Sequence, residues 1–483
     1  MTVKKLFLVG WMVPGLLLSY MSRAQDKWDL KRCVEYAVTN NISIKQADVQ
    51  ARLAALTFRQ SRLAQLPTLN FSGAAGYSSG RNQDPTTFGL TTISYAFNQY
   101  SLQSGINFFN FNNLKYNKQG SRYAWLAANA ATEKLINDVS LSVANAYLQF
   151  LLSVETSKTA ENQLKQSQAQ LAITRKQVAA GSLPELNAAE LESQVAQDSA
   201  SYITAVSNIQ QNVLNLKAYM SIDAAQPFEL DTPSVDKIPI ESFTELQPEI
   251  VYTLALHNQP QQKADAFQIQ AAAKYVEASH AAMLPTFSLF GSLGTNATNQ
   301  TLELAGVNQV PPPAQAVGYA NVGGTHYDVF STIGGFNYVY DKQGYFSQLN
   351  QDFRQQIGIQ LNVPILNGGS LRINYERTKE NLRNYQLQQQ LDNLTLKENI
   401  YQAYNLAVAA LQKFEANKKT VQATQRSFDY ANKRYAVGML NTIDLLTQQN
   451  NYYNAQINLL YSQFDYVFKM KVLEFYKGMG IKL

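Results

Sequence analysis

A seven-residue apolar spacing, held over two long stretches, restricts the fold of this chain more than any other feature. Ile136, Val143, Phe150, Leu164, Leu171 and Val178 keep one register, broken at Ser157. Ile400, Ala407, Phe414, Val421, Phe428 and Tyr435 keep it again. Each stretch is interrupted by a glycine, Gly181 or Gly438, after which the spacing resumes as Val195, Tyr202, Ile209 and Leu216, and as Tyr452, Leu459, Tyr466 and Leu473. Such a repeat keeps one seam of an α-helix against a neighbour in a left-handed coiled-coil arrangement. Residues 114–180 and 370–437 are therefore expected to be helices, each roughly 100 Å long at 1.5 Å per residue.

The whole chain follows one plan twice. Leu66-Pro67-Thr68 recurs 218 positions on as Leu284-Pro285-Thr286, and beyond the next strands the offset becomes 257. Phe108 then matches Ile365, Tyr147 matches Tyr404, Gly181 matches Gly438 and Tyr219 matches Tyr476. The added length of the second copy lies between Gly294 and Phe353. Two copies do not make a solenoid, so the duplication reads as a pseudo-symmetric protomer. The expected organisation is a first repeat over 25–222, a joining segment over 223–242 and a second repeat over 243–483.

Four segments alternate with period two: strands are expected at about 68–79, 95–109, 286–294 and 353–363. Leu69, Phe71, Ala75 and Tyr77 oppose Asn70, Ser72 and Ala74, and Tyr100, Leu102, Ile106 and Phe108 oppose Gln99, Ser101, Gln103 and Asn107. Ile357, Ile359, Leu361 and Val363 oppose Gly358, Gln360 and Asn362. Phe287, Leu289 and Leu293 oppose Ser288 and Ser292, with Phe290 out of pattern. Each segment is long enough to cross a bilayer when tilted, with one greasy and one polar side, although a soluble half-buried sheet alternates in the same way. Four strands cannot close a barrel, and open edges are not tolerated in hydrocarbon. In lipid, chains must therefore cooperate: two copies give eight strands and a filled interior, three give twelve and room for a pore.

The chain has 483 residues, 46% of them hydrophobic and 16% charged, enough for two to four ordinary domains. Residues 1–24 read as an export signal, with Lys4 and Lys5, a short apolar run holding Pro14, and small residues Ser22 and Ala24 before a cleavage point at Gln25. Removing them takes away three basic and no acidic residues, so the net charge falls from +5 to +2 and no basic stripe suggests nucleic acid. Cys33 is the single cysteine, which excludes an internal disulfide, and it reads as a buried small apolar residue. The three histidines, His257, His280 and His326, are far apart without metal-ligand spacing, so no catalytic residue, metal or cofactor is expected.

The helix–strand–strand–helix order occurring twice, the "LPT" before the first strand of each half, "LNVPILNGGSLR" after the fourth strand and the "YAVG…D" turn together resemble the TolC-like outer-membrane efflux family. The resemblance covers the whole chain after residue 24. It implies an α+β membrane protein: a homotrimer whose 12-stranded β-barrel, four strands per chain, is continuous with a long antiparallel α-helical coiled-coil barrel. It further implies a passive conduit in the bacterial outer membrane, its helical barrel in the periplasm. The partners so implied are outer-membrane lipid, a periplasmic adaptor protein and an inner-membrane pump of the RND, ABC or a similar class. A trimeric surface fibre is the rival class; paired amphipathic strands in each half speak against it.

Site expectations follow. Pro67, Pro285 and Pro364 stand at helix–strand junctions, and Gly368-Gly369 permits the turn from the fourth strand into a long helix. Gly181 and Gly438 suit left-handed residues ending one helix, with Pro184 in the first turn of the returning helix and Asn441 or Thr442 as its counterpart's cap. The resemblance makes these turns, with Ser182, Leu183, Met439 and Leu440, the periplasmic tip where an adaptor docks. In better-known members a tyrosine three residues before the second glycine, a basic residue two after it and an acidic residue six after the first hold the tip closed. Here those positions are Tyr435, Leu440 and Asn187, so the charged latch is not matched, and Asp444 is the remaining acidic candidate. Residues 223–242 are either a belt around the helical barrel or a linker, with two strand-like pieces. Residues 295–352 form a long outer loop that either caps the pore or presents a surface epitope.

Overall fold

A computed structural model describes residues 27–83, 88–235, 238–332 and 334–478. The expected export signal, residues 1–24, lies outside them. The first repeat supplies α1 (Leu30–Asn40), α2 (Ile42–Leu63), β1 (Thr68–Gln83), β2 (Leu90–Phe109), α3 (Asn113–Ala179) and α4 (Glu185–Met220). The second supplies α5 (Pro248–Asn258), α6 (Pro260–Ala281), β3 (Thr286–Thr298), β4 (Leu302–Val310), β5 (Gly318–Val322), β6 (Thr325–Val329) and β7 (Gly335–Lys342). It ends with α7 (Tyr345–Gln351), β8 (Arg354–Asn362), α8 (Ser370–Ala436) and α9 (Thr442–Tyr476). The chain divides into two compact units, one of residues up to Ala51, Ala127–Ala266 and from Gln388 on, the other of Arg52–Leu126 and Phe267–Leu387.

The first unit is helical. Every position of the four seven-residue series is buried or half-buried, as is Ser157. Its two cores repeat each other across the duplication. Cys33 and Ala37 of α1 pack with Val143 and Tyr147 of α3 and Leu216 of α4. Val251 and Ala255 of α5, each 218 positions later, pack with Ile400 of α8 and Leu473 of α9, each 257 positions later. The polar fastening is duplicated too. Asn41, between α1 and α2, donates to the Tyr219 carbonyl at 2.7 Å; Gln259, between α5 and α6, donates to the Phe475 and Tyr476 carbonyls at 2.9 and 3.1 Å. In each half a side-chain amide takes up carbonyls left without partners at the end of a long helix. Burial pushes the Cys33 thiol up to about 12, with Asp29 adding to the effect, so it packs as an inert neutral group.

The joining segment holds fewer strand pieces than its sequence suggests. Among the described residues it makes one isolated parallel bridge, Leu230 to Trp28. Pro227, Pro233 and Pro239 lack the N–H a ladder needs. Side chains fasten it instead. Lys217 donates to the carbonyls of Ala224 and Gln226 at 2.8 and 2.6 Å, and Lys477 pairs with Glu241 at 2.6 Å.

The second unit centres on an antiparallel sheet ordered β1-β2-β3-β8. Its register aligns apolar with apolar and polar with polar at several rows, although Leu293 meets Gln355, Leu69 meets Ser104, and β2 and β3 shift register between Asn107 and Phe109. Phe71 opposes Leu102, Leu102 opposes Leu293, Leu289 opposes Ile359 and Phe287 opposes Leu361 on the apolar face. Ser72 and Ser101, Gln103 and Ser292, and Ser288 and Gln360 are paired on the other. Phe290 breaks the pattern for a steric reason: its ring lies over Gly358 of β8, where an added Cβ would approach it to 2.8 Å. Phe97 covers Gly76 in the same way. An aromatic ring over a cross-strand glycine restores the packing the glycine lacks. Among the described residues, β1 and β8 have a strand on one side only. No helix among the described residues is long and apolar enough to cross a membrane.

The segment 295–352 is built rather than loose. β4 pairs with β7 and β5 with β6, and α7 lies against β3, where the Thr298 N–H donates to Gln348 Oε1 at 2.8 Å. Pro67 and Pro285 separate α2 from β1 and α6 from β3, and Pro364 follows β8. Gly368 and Gly369 are left-handed, at φ 63° and 77°, before α8. At the matching positions before α3 stand Phe111 and Asn112, also left-handed at φ 47° and 66°. Non-glycine residues there cost roughly 1–2 kcal/mol each; the ring of Phe111 packs edge-on against Phe109 at 4.8 Å.

One carboxyl pair gives the helical unit a pH response. Burial, then the neighbouring Asp392, raises Asp265 of α6 from 3.8 to about 6. Gln261 Nε2 donates to both, at 2.9 Å to Asp265 and 3.4 Å to Asp392. The folded state holds this proton more tightly than the unfolded state, so the contribution is complete below about pH 4 and is lost as pH rises through about 6. Thermal unfolding in detergent between pH 4.5 and 7.5 should show Asp265→Asn losing less stability over that range than the wild type; parallel curves would contradict the assignment.

Candidate functional site

The two glycine turns are built alike, bond for bond. Gly181 and Gly438 both have φ 74°. The Gly181 N–H donates to the Val178 carbonyl at 2.9 Å and the Ser182 N–H to the Gln177 carbonyl at 2.9 Å. The Gly438 N–H donates to the Tyr435 carbonyl at 3.0 Å and the Met439 N–H to the Arg434 carbonyl at 2.8 Å. This is the Schellman closure, in which a left-handed residue lets the chain fold back and satisfies carbonyls at the helix end. Side chains reinforce each turn: the Ser182 hydroxyl donates to the Gln177 carbonyl at 2.8 Å, and Arg434 to the Met439 carbonyl at 3.4 Å.

The returning helices start differently. Asn441 caps α9, its Oδ1 accepting from the Asp444 N–H at 2.7 Å, and Thr442 is the first residue of that helix. Pro184 is itself the N-cap position of α4, one residue earlier than the sequence suggests, because its extended ψ of 151° keeps it out of the first turn. Asp444 and Glu185 lie in first turns, where a carboxylate meets the positive end of the helix dipole. Asp444 and Met439 are exposed; Leu183, Asn187 and Leu440 are half-buried.

Tyr435 is buried. It packs with Phe428, Ala431 and Leu445, and Leu440 lies against the same cluster. Its hydroxyl lies 3.2 Å from that of Thr174 and 3.4 Å from that of Thr442, joining α3, α8 and α9. The structure thus brings Tyr435, Leu440 and Thr442 together and leaves Asp444 on the surface beside them.

Further from the turns, sequence reading missed a buried polar ladder across three helices. Gln449 of α9 donates to the Ser167 hydroxyl of α3 at 2.8 Å, and Ser167 donates to Asp198 Oδ2 of α4 at 2.5 Å. Gln194 donates to Asp198 Oδ1 at 2.9 Å and exchanges two 3.2 Å hydrogen bonds with Asn450. Burial first, and then the Asp198 charge, raises the Tyr453 phenol. The signal was present: Ser153, Ala160, Ser167 and Thr174 have a seven-residue spacing of their own, all buried. Small polar residues at this spacing leave no apolar mark, so the pattern looks the same as that of a solvated face.

His280 rests against the ring of Tyr375 and His326 stacks on Tyr319. Among the described residues no group of three His, Cys, Asp or Glu could hold a metal ion.

Comparison with known proteins matches this architecture. The profile of the family described as "Outer membrane efflux protein" matches residues 34–221 and 251–467, skipping the join between the repeats. The toluene efflux pump outer membrane protein TtgC of Pseudomonas putida is 20% identical over 465 residues, 93% of this chain and 82% of that protein. The outer membrane efflux protein BepC of Brucella suis is 24% identical over 56% of this chain and 50% of its own. The CmeC outer membrane channel of Campylobacter jejuni superimposes with a TM-score of 0.72 at 16% identity, covering 94% of this chain and 86% of that one. The outer membrane protein VceC of Vibrio cholerae does so with a TM-score of 0.72 at 15% identity, covering 94% and 97%.

Space around both turn glycines is open, with nothing within 4 Å of an added Cβ, so substitution costs only backbone strain. Gly438→Ala should lower stability by roughly 1–2 kcal/mol, and Gly438→Asn by less. Thermal unfolding of the purified variants reads this; an alanine variant as stable as wild type would contradict a left-handed turn.

Proposed function

The chain belongs to the outer membrane efflux protein family, and from that premise we propose that three copies of it wall a passive conduit across the outer membrane. It is the outer-membrane channel component of a tripartite efflux or secretion system. The family consists of channels and efflux proteins rather than enzymes.

One observation carries the trimer: a sheet with apolar residues on one face of each strand and, among the described residues, two open edges, β1 and β8. Each unpaired N–H or C=O in hydrocarbon costs several kcal/mol. Pairing β8 of one copy with β1 of the next removes every edge, and three copies give twelve strands around a lumen. The helices offer a matching clue. Ile42, Val49, Leu56 and Leu63 of α2 are seven apart and all exposed, as are Leu387, Leu394 and Tyr401 of α8, whose register continues back through Glu380 to the exposed Ile373. Within one chain these seams stay exposed, with Tyr401 reaching a partner in Glu249; a neighbouring copy covers them in a head-to-tail ring.

The Gly181 and Gly438 turns, with Ser182, Leu183, Met439 and Leu440, form the periplasmic end that meets an adaptor. An inner-membrane pump of the RND, ABC or a similar class supplies the energy. Tyr435 acts on the aperture by tying α3, α8 and α9 together. Asp444 acts by its exposed charge, since three copies would make a carboxylate ring that favours cations. Asn187 and Leu440 stand where a charged latch would otherwise be.

Planar-bilayer recording of the detergent-extracted trimer tests this reading. Wild type should conduct, Tyr435→Ala should conduct more, and Asp444→Ala should lose cation preference. A surface fibre would not conduct, and unaltered conductance and selectivity in both variants would remove these residues from the aperture.

A further inference from the structure

The helical unit contains a cavity of about 350 Å³, walled by α3, α9, the start of α1 and the joining segment. Its lining is mostly apolar, with Leu141, Leu148 and Leu151 of α3 and Phe468 of α9. Its volume and lining match those of small-molecule sites, which pair an apolar body with a few placed polar groups.

Three of those groups decide what would fit. Asn145 lines the cavity, and its Oδ1 is buried without a hydrogen-bond partner. A buried acceptor left unmatched is costly, so a ligand that donates to it gains more than one that only fills space. Asp29 and Asp231 also line the cavity. Each already holds one backbone N–H, from Arg32 at 2.8 Å and Thr232 at 2.9 Å, and remains acceptor-only. Both act on the phenol of Tyr147, which burial chiefly, then Cys33, Asp231 and Asp29, shift upward. Of the two lysines among the described lining residues, Lys471 is paired with Glu474 at 2.8 Å, while Lys31, Asp29 and Asp231 are exposed. Asn145 Oδ1 and the two carboxylates are acceptors, which an ammonium donor matches and a carboxylate does not.

We propose that this cavity binds an amphiphilic amine, its apolar body against the α3 and α9 side chains and its ammonium donating to Asn145 Oδ1 and facing Asp231. The site lies among residues unrelated to the turns, and it holds a small molecule rather than conducting one. Because the joining segment forms one wall, an occupant ties that segment to the helices.

The probe is dansylcadaverine, an aromatic body with a terminal ammonium, titrated by fluorescence into the assembled full-length protein in lipid nanodiscs. Dansylglycine, which ends in a carboxylate, is the opposite-charge control. Saturable binding is expected, with dansylglycine at least tenfold weaker. Asn145→Leu should raise the thermal midpoint, because an unpaired polar atom is gone, and should weaken dansylcadaverine about tenfold. Should that variant fail to fold, Asp231→Asn keeps the backbone carbonyl that accepts from Tyr147 at 2.8 Å and should weaken the amine alone. Absence of saturable binding, as when a neighbouring copy covers the cavity, overturns the proposal. So does equal affinity for both dyes, or a stabilised Asn145→Leu that binds dansylcadaverine unchanged. Binding is read without ion flow, so its failure leaves the conduit standing, and a failure to conduct leaves the cavity standing.

Discussion

The backbone of two strands determines what this molecule must become. Among the described residues, β1 and β8 each have a strand on one side only, on a sheet with an apolar row through Phe71, Leu102 and Leu293. In water such an edge is a hazard; in hydrocarbon it is forbidden. The exposed seams of α2 and α8 make the same demand through side chains. Hydrogen-bond satisfaction in the sheet and apolar burial between the helices are independent forces, and both ask for another copy of this chain.

Duplication explains how one chain meets both demands economically. Asn41 and Gln259 are different residues with the same task, each fastening the end of a long helix in its own half. Gly181 and Gly438 close their turns with the same pair of backbone bonds. The halves diverge elsewhere: among the described residues 295–352 adds two two-stranded sheets and α7 to one half, and Phe111-Asn112 takes a left-handed course that Gly368-Gly369 follows without strain.

Much of this was legible in the sequence because two periods dominate it. Seven-residue spacing located the four long helices, and period-two alternation located the four strands of the main sheet but not β4–β7, since burial on one side leaves that mark on a sequence. What escaped had no such mark. Phe290 looked like an error of pattern until Gly358 was seen beneath it, a contact set by register between strands far apart in sequence. The ladder through Ser167, Asp198 and Gln449 uses small polar residues whose partners lie on other helices, and polarity alone cannot tell a satisfied interior from a wet surface. Tyr435 was legible by spacing, but its burial between Thr174 and Thr442 depends on how three helices meet.

Amide hydrogen exchange on β1 and β8 in the detergent-extracted assembly tests the central claim most directly. If β8 of one copy pairs with β1 of the next, the outward-facing amides of both strands should be as protected as those of β2 and β3. Rapid exchange along either edge, at the rate of free strand borders, would mean that the edges stay open and that the ring of copies does not form.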